Sequence, residues 1–214
     1  MFNPSRSARA GTNSRGSVEF DVLLSEIRAC QICASHLPLG PRPVLQVHPE
    51  AAILIVSQAP GRRVHASGIP FQDPSGVRLR EWMGVSENVF FDPRRIAVLP
   101  MGFCFPGSGP SGDRPPRPEC APAWREAVMA KLVGVRLTLV LGRYAQAYHL
   151  AGPSRSVTES VASWREHWPL KLPLPHPSPR NRAWLKKNAW FEEEVLPMLR
   201  TRVKQLTAAP LEEG

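Results

Sequence analysis

Four short, largely apolar runs constrain this chain more than any other feature. Residues 51–56, 95–100, 137–141 and 171–174 are each only four to six residues long. The run 51–56 is apolar at consecutive positions and β-branched, and 137–141 is similarly apolar. Strands of that kind are buried on both faces, the condition of a parallel sheet covered by helices. Helical spacing fills the intervals. It places Phe20, Leu23, Leu24 and Ile27 on one face of 18–29, and Val77, Leu79, Trp82 and Met83 on one face of a helix capped by Ser75 and running to Gly84. Further helices are expected over 121–132, 144–150 and 182–200, with 156–168 a helix or an irregular amphipathic connection. Strands alternating with helices predict an α/β fold, a three-layer α/β/α arrangement around a four-stranded parallel sheet.

The chain has 214 residues, enough for one substantial core rather than two. One domain is expected over 17–202, preceded by a disordered basic tail over 1–16 (with Arg6, Arg9 and Arg15) and followed by a flexible tail over 203–214. The 24 prolines predict stiff loops between short elements. No apolar run is long enough to cross a bilayer, and the polar N-terminus lacks a secretory core, so a cytoplasmic protein is expected, with a monomer as the default oligomeric state. A formal net charge of +9 favours a polyanionic partner held through phosphate contacts.

In a reducing compartment cysteines bind metals or react more often than they pair. The four here fall as C-x₂-C, Cys30 and Cys33, and then C-x₁₅-C, Cys104 and Cys120, with none left over. Thiolates from distant segments can gather around one soft centre, either zinc or an iron–sulfur cluster.

Two loops follow strand C-termini, the edge at which open α/β sheets bind ligands. Ser57-Gln58-Ala59-Pro60-Gly61 is a small-residue turn that lets backbone approach a ligand. His176-Pro177-Ser178-Pro179-Arg180-Asn181 is a loop stiffened by two prolines, able to present His176, Ser178 and Arg180. His65, between the first loop and Phe71, reads as a solvent-exposed loop histidine. The basic, aromatic stretch 180–190 offers Arg180, Arg182, Lys186 and Lys187 to phosphates, while Trp184 and Trp190 pack its helix onto the sheet.

The two loops together resemble the signature motifs of the uracil-DNA glycosylase superfamily. The first is similar to the G-E-A-P-G motif of its iron–sulfur members and the G-L-A-P-A motif of a double-strand-active family. The second is similar to H-P-S-P-R-N of the single-strand-selective monofunctional glycosylases, and Gly68-Ile69-Pro70-Phe71 is similar to the iron–sulfur G-R-P-F segment. The resemblance runs from about Cys30 to the helix after Asn181. It implies base excision from DNA, single- or double-stranded. The damaged base is extruded and stacked on Phe71, and His176 donates to the carbonyl oxygen of the leaving base. It further implies base contacts from Gln58, Ala59 and Pro100, DNA contacts from Ser178, Arg180, Asn181 and Arg182, and a 4Fe-4S cluster on Cys30, Cys33, Cys104 and Cys120, zinc being the alternative.

Two departures matter. Gln58 stands where the iron–sulfur members carry a carboxylate, and a primary amide cannot be a general base. Asp73, in Asp73-Pro74-Ser75-Gly76, falls where the double-strand-active family places an aspartate in G-D-x-S-G. It is expected either to serve catalysis, by orienting or activating water or stabilising the sugar cation while Gln58 helps hold the base or water, or to cap the following helix. Pro100 stands where many members carry a uracil-reading asparagine. Recognition through neighbouring backbone groups would then also admit hypoxanthine or xanthine. The rival reading is a non-catalytic metal-cluster module that binds damaged or single-stranded DNA. An unrelated α/β hydrolase or nucleotide-binding protein is disfavoured, since G-x-S-x-G, G-x-x-x-x-G-K-[ST] and G-x-G-x-x-G are all absent.

Overall fold

The structure, a computed structural model, describes residues 8–208 apart from 111 and 154, with side chains from residue 16 onward. The first seven residues of the expected N-terminal tail and the last six of the C-terminal tail lie outside the described residues. Helix α1 spans Ala8–Arg28 and leads through the first cysteine pair to strand β1, Ile53–Val56. Helices α2, Arg62–Ser67, α3, Pro74–Met83, and α4, Glu87–Phe90, then precede β2, Ile96–Val98. A two-stranded hairpin follows, β3 Ser108–Gly109 and β4 Gly112–Asp113. A π-helical stretch Ala121–Arg125 runs into α5, Glu126–Lys131, before β5, Leu137–Leu141, and α6, Gly142–His149. Helix α7, Val157–Ala162, and strand β6, Lys171–Leu174, complete the sheet; α8, Arg182–Lys187, and α9, Leu196–Thr207, end the fold.

The main sheet has the order β2-β1-β5-β6 and every pair is parallel. Alternation along β1 sets the layers. Ile53 and Ile55 face a core with Leu79, Trp82, Phe191 and Leu199 from α3 and the C-terminal helices. Leu54 and Val56 face the other, with Phe20, Leu24 and Ile27 of α1 and Val128 of α5. All four residues of β1 are fully buried, as the apolar run requires. Pro173 lies in β6, an edge strand, where its missing N–H costs no ladder bond on the open side.

Several expectations are corrected. Helix α1 starts at Ala8, inside the segment expected to be a tail. Helix α2 occupies the segment between the first loop and Phe71, where His65 reads as a loop residue. The expected helix 182–200 breaks at Asn188, whose side-chain Nδ2 donates to Trp184 O at 2.8 Å and so occupies a carbonyl of the preceding helix's last turn. Nor is 203–207 a flexible tail. Helix α9 continues to Thr207, with Val203 and Leu206 buried in the core. Trp184 and Trp190 do pack inward, their rings 5.6 and 6.5 Å from that of Phe191. No helix among the described residues is long and apolar enough to cross a membrane.

Candidate active site

The C-terminal ends of β1, β2 and β6 open onto a cavity of about 500 Å³, within the range of small-ligand sites. Of the residues singled out in the sequence, Gln58, Ala59, Phe71, Asp73, Pro100, His176, Ser178, Arg180 and Asn181 all line it. Arg182 does not. It lies in a neighbouring groove with Arg63, Arg78 and Arg80.

Phe71 forms one wall and is at the same time a core residue, its ring meeting Phe90 edge-on at 6.1 Å. Its backbone has φ +56°, a left-handed conformation that is strained for an aromatic residue. The strain is held from below by Gly76, because a Cβ built there would collide with the Phe71 carbonyl and lie 2.8 Å from its Cβ. Gly76 N–H in turn donates to Asp73 Oδ1 at 2.9 Å, so Asp73 is the N-cap of α3. The capping reading of Asp73 therefore holds, and the residue also lines the cavity.

His176 follows β6 after Pro175. Its carbonyl accepts from Asn181 Nδ2 at 2.7 Å, while Arg78 Nη1 donates to Ser178 O at 3.0 Å and ties this loop to α3. Ser178 Oγ accepts from Arg180 N–H, and Asn181 is occupied with the loop, so both shape the turn they were expected to project from. Burial holds the His176 pKa below the ordinary imidazole value, against the opposing pull of Asp73 and Asp113. The imidazole is therefore neutral at physiological pH, one nitrogen a donor and the other an acceptor.

Gln58 turns its amide to the hairpin, with Nε2 donating to Arg114 O at 2.8 Å and Asp113 O at 3.4 Å. The backbone beside Pro100 is committed as well. Arg125 Nη1 donates to Pro100 O at 2.8 Å, Met101 N–H to Ser57 O at 2.8 Å and Gly102 N–H to Gln58 O at 3.0 Å. The N–H groups of Met101 and Gly102 are thus occupied within the protein, while the Pro100 carbonyl keeps one lone pair beside its bond to Arg125. Arg125 itself is wholly buried; its guanidinium also meets Leu99 O and His149 Nε2. Burial pushes its pKa down to about 10, and burial, with the Arg125 and Lys171 charges, pushes His149 down to about 3, leaving a cation against a neutral acceptor. His65 corrects another expectation. It is buried on α2 with its ring centroid 6.1 Å from that of Phe105, and burial, then the Arg42 charge, lowers its pKa.

Asp113 lies in the Pro- and Gly-rich segment 101–118, where neither helical nor strand periodicity signals the hairpin that carries it. A lone aspartate beyond the second strand, at the ligand-binding edge, was the available clue. Asp113 lines the cavity, with Ser108 Oγ donating to its Oδ1 at 2.9 Å.

The four cysteines line a second, small pocket with Ile32, Pro41, Pro43, Phe103 and Trp124, and none is disulfide-bonded. Trp124 Nε1–H donates to Cys30 Sγ at 3.2 Å and Phe103 N–H to Cys120 Sγ at 3.3 Å, donors suited to anionic sulfur. Burial, together with the repulsion of neighbouring thiolates, pushes Cys104 up to about 11 and Cys120 up to about 12. No three His, Cys, Asp or Glu among the described residues stand close enough to hold a single ion.

Compared with known proteins, residues 45–200 match the family model of the uracil DNA glycosylase superfamily. The fold is similar to the solution NMR structure of a candidate uracil DNA glycosylase from Methanosarcina acetivorans, at 18% sequence identity and a TM-score of 0.44, over 75% of this chain and 97% of that one.

Proposed function

The chain belongs to the uracil DNA glycosylase superfamily, and from that premise we propose that it is a monofunctional DNA glycosylase hydrolysing the N-glycosidic bond of uracil and other deaminated bases in DNA. The observation that carries this reading is the convergence of Phe71, His176 and two carboxylates on one cavity at the C-terminal edge of the sheet. An extruded base enters the cavity and stacks on Phe71. As the glycosidic bond breaks, charge builds on the base, and the neutral His176 donates a hydrogen bond to its carbonyl oxygen. The Asp73 carboxylate stabilises the positive charge that develops on the sugar. Arg180 at the rim and Arg182 in the groove meet phosphates on either side of the extruded nucleotide.

Breadth of substrate follows from the β2 end. Pro100 has no side-chain amide, and its carbonyl already accepts from Arg125. A pocket that grips only a base's face and one carbonyl accepts hypoxanthine and xanthine beside uracil. Oligonucleotides bearing each lesion, single- and double-stranded, are expected to release free base and leave an abasic site, read by chromatography. Uracil as the sole product would reject the broad specificity. Tight binding with no release from any lesion would instead establish the non-catalytic DNA-binding module.

Four cysteine thiols from two distant segments meet in one pocket, a donor set that would hold a 4Fe-4S cluster, zinc being the alternative. The N–H groups of Trp124 and Phe103, which donate to Cys30 Sγ and Cys120 Sγ, would support the thiolate ligands of such a cluster. When bound, the cluster supplies a cross-link fastening the segment after α1 and the Pro-rich loop to the sheet. The purified protein is expected to be brown with broad visible absorbance. Cys120→Ala should bleach it and lower the thermal midpoint by about 10 °C or more, since a structural metal contributes directly to folding. A colourless protein with one equivalent of zinc would overturn the assignment.

A further inference from the structure

Resting on the glycosylase reading, we infer that Asp113, presented by the β3–β4 hairpin, is the carboxylate that activates the attacking water, and that Gln58 is the positioning residue that holds it there. The two cavity carboxylates have different duties. Each is bonded through Oδ1 and leaves Oδ2 for a ligand, but Asp73 caps α3 through the Gly76 N–H, whereas Asp113 is carried on a hairpin and bonded to the Ser108 hydroxyl of that hairpin. Asp113 Oδ2 points to the base-binding loop, because a Cβ on Gly61 would lie 3.3 Å from it. The hairpin is fixed from both sides. Gln58 Nε2 donates to the carbonyls of Arg114 and Asp113, and Gly112, at φ +126°, leaves room for Arg180, whose Nη1 a Cβ there would strike.

The departure at position 58 then has a physical reason. A carboxylate there can accept hydrogen bonds but not donate them, so it could not tie down two hairpin carbonyls. The amide gives up the role of base and secures a carboxylate arriving from the opposite wall. In the reaction, a water oxygen bonds to C1′ of the deoxyribose as the bond from C1′ to the base nitrogen breaks. The bonding pair leaves with the base, whose anion accepts a hydrogen bond from His176 and later takes a proton from solvent. The water proton passes to Asp113 Oδ2 and from there to solvent, leaving an abasic sugar with a C1′ hydroxyl.

Single-turnover excision from a lesion-bearing oligonucleotide tests the assignment. Asp113→Asn is expected to lower the rate at least about a hundredfold, the ordinary share of a general base, with oligonucleotide affinity kept within about twofold. Gly61→Ala, at an ordinary backbone angle, crowds Oδ2 and should lower the rate at least about tenfold without loss of binding, which keeps the test available should Asp113→Asn fold poorly. An Asp113→Asn protein as fast as wild type overturns the assignment and leaves the glycosylase reading intact. A wild-type protein that releases no base brings down both.

Discussion

Gly76→Ala is expected to cost this protein about 3 kcal/mol of stability and its base-excising activity together. The added methyl would have to occupy space held by the Phe71 carbonyl, with the carbonyl carbon 2.7 Å and the Phe71 Cβ 2.8 Å from the built position. These atoms are not the far end of a flexible side chain. They belong to a backbone already at φ +56°, pinned by the ring's edge contact with Phe90 and by the N-terminus of α3 beneath. Overpacking of this kind usually costs about 1–3 kcal/mol, and rigid surroundings place it at the upper end. The only relief is to push Phe71 into the cavity it lines or to lift the first turn of α3, which would release the Asp73 cap as well. A displacement of about 1 Å at a base-stacking wall is enough to lower the rate roughly a hundredfold. Chemical denaturation and single-turnover excision on the same preparation would check both halves. A variant with wild-type midpoint and rate would mean that Phe71 is free to move, and the rigid-wall account would fail.

Phe71 and Gly76 also show what the sequence can and cannot carry. The strands were legible because burial on both faces demands unbroken apolar runs, and β1 and β5 answer that demand at every position. Loops announced by proline and small residues were likewise legible as ligand-facing segments, and they do converge on one cavity. Hydrogen-bond partners far apart in sequence were not. Nothing at Gln58 signals that its amide will meet carbonyls more than fifty residues away, nor at Pro100 that a fully buried Arg125 will claim its carbonyl. His65 read as exposed because its helix is too short for periodicity to reveal which side faces Phe105. The C-terminal boundary failed for a related reason. Val203 and Leu206 look like isolated apolar residues in a charged stretch, and only the packing of α9 makes them core.

His176→Ala is expected to lower the rate of base release by about 10²–10³-fold, equivalent to about 2.7–4 kcal/mol of transition-state stabilisation, with a much smaller effect on DNA affinity. The asymmetry follows from when the interaction is strongest. Before bond cleavage the base carbonyl is a neutral acceptor that solvent can satisfy; as the base leaves, it carries most of a negative charge inside a closed cavity. The pH dependence gives an independent check, and its sign is fixed by the direction of the shift. Burial lowers the His176 pKa from the usual 6.5, and the carboxylates of Asp73 and Asp113 only partly oppose it. The neutral donor therefore persists as pH falls through 6.5, and protonation sets in only below that value. Excision by the wild type should show no inflection at the ordinary histidine pKa. Between neutral and mildly alkaline pH the ratio of wild-type to His176→Ala rates should be constant, because the imidazole's charge does not change there. A ratio that falls as pH rises through 6.5 would mean that the imidazolium is the working form, and leaving-group stabilisation would then rest on charge rather than on a neutral hydrogen bond.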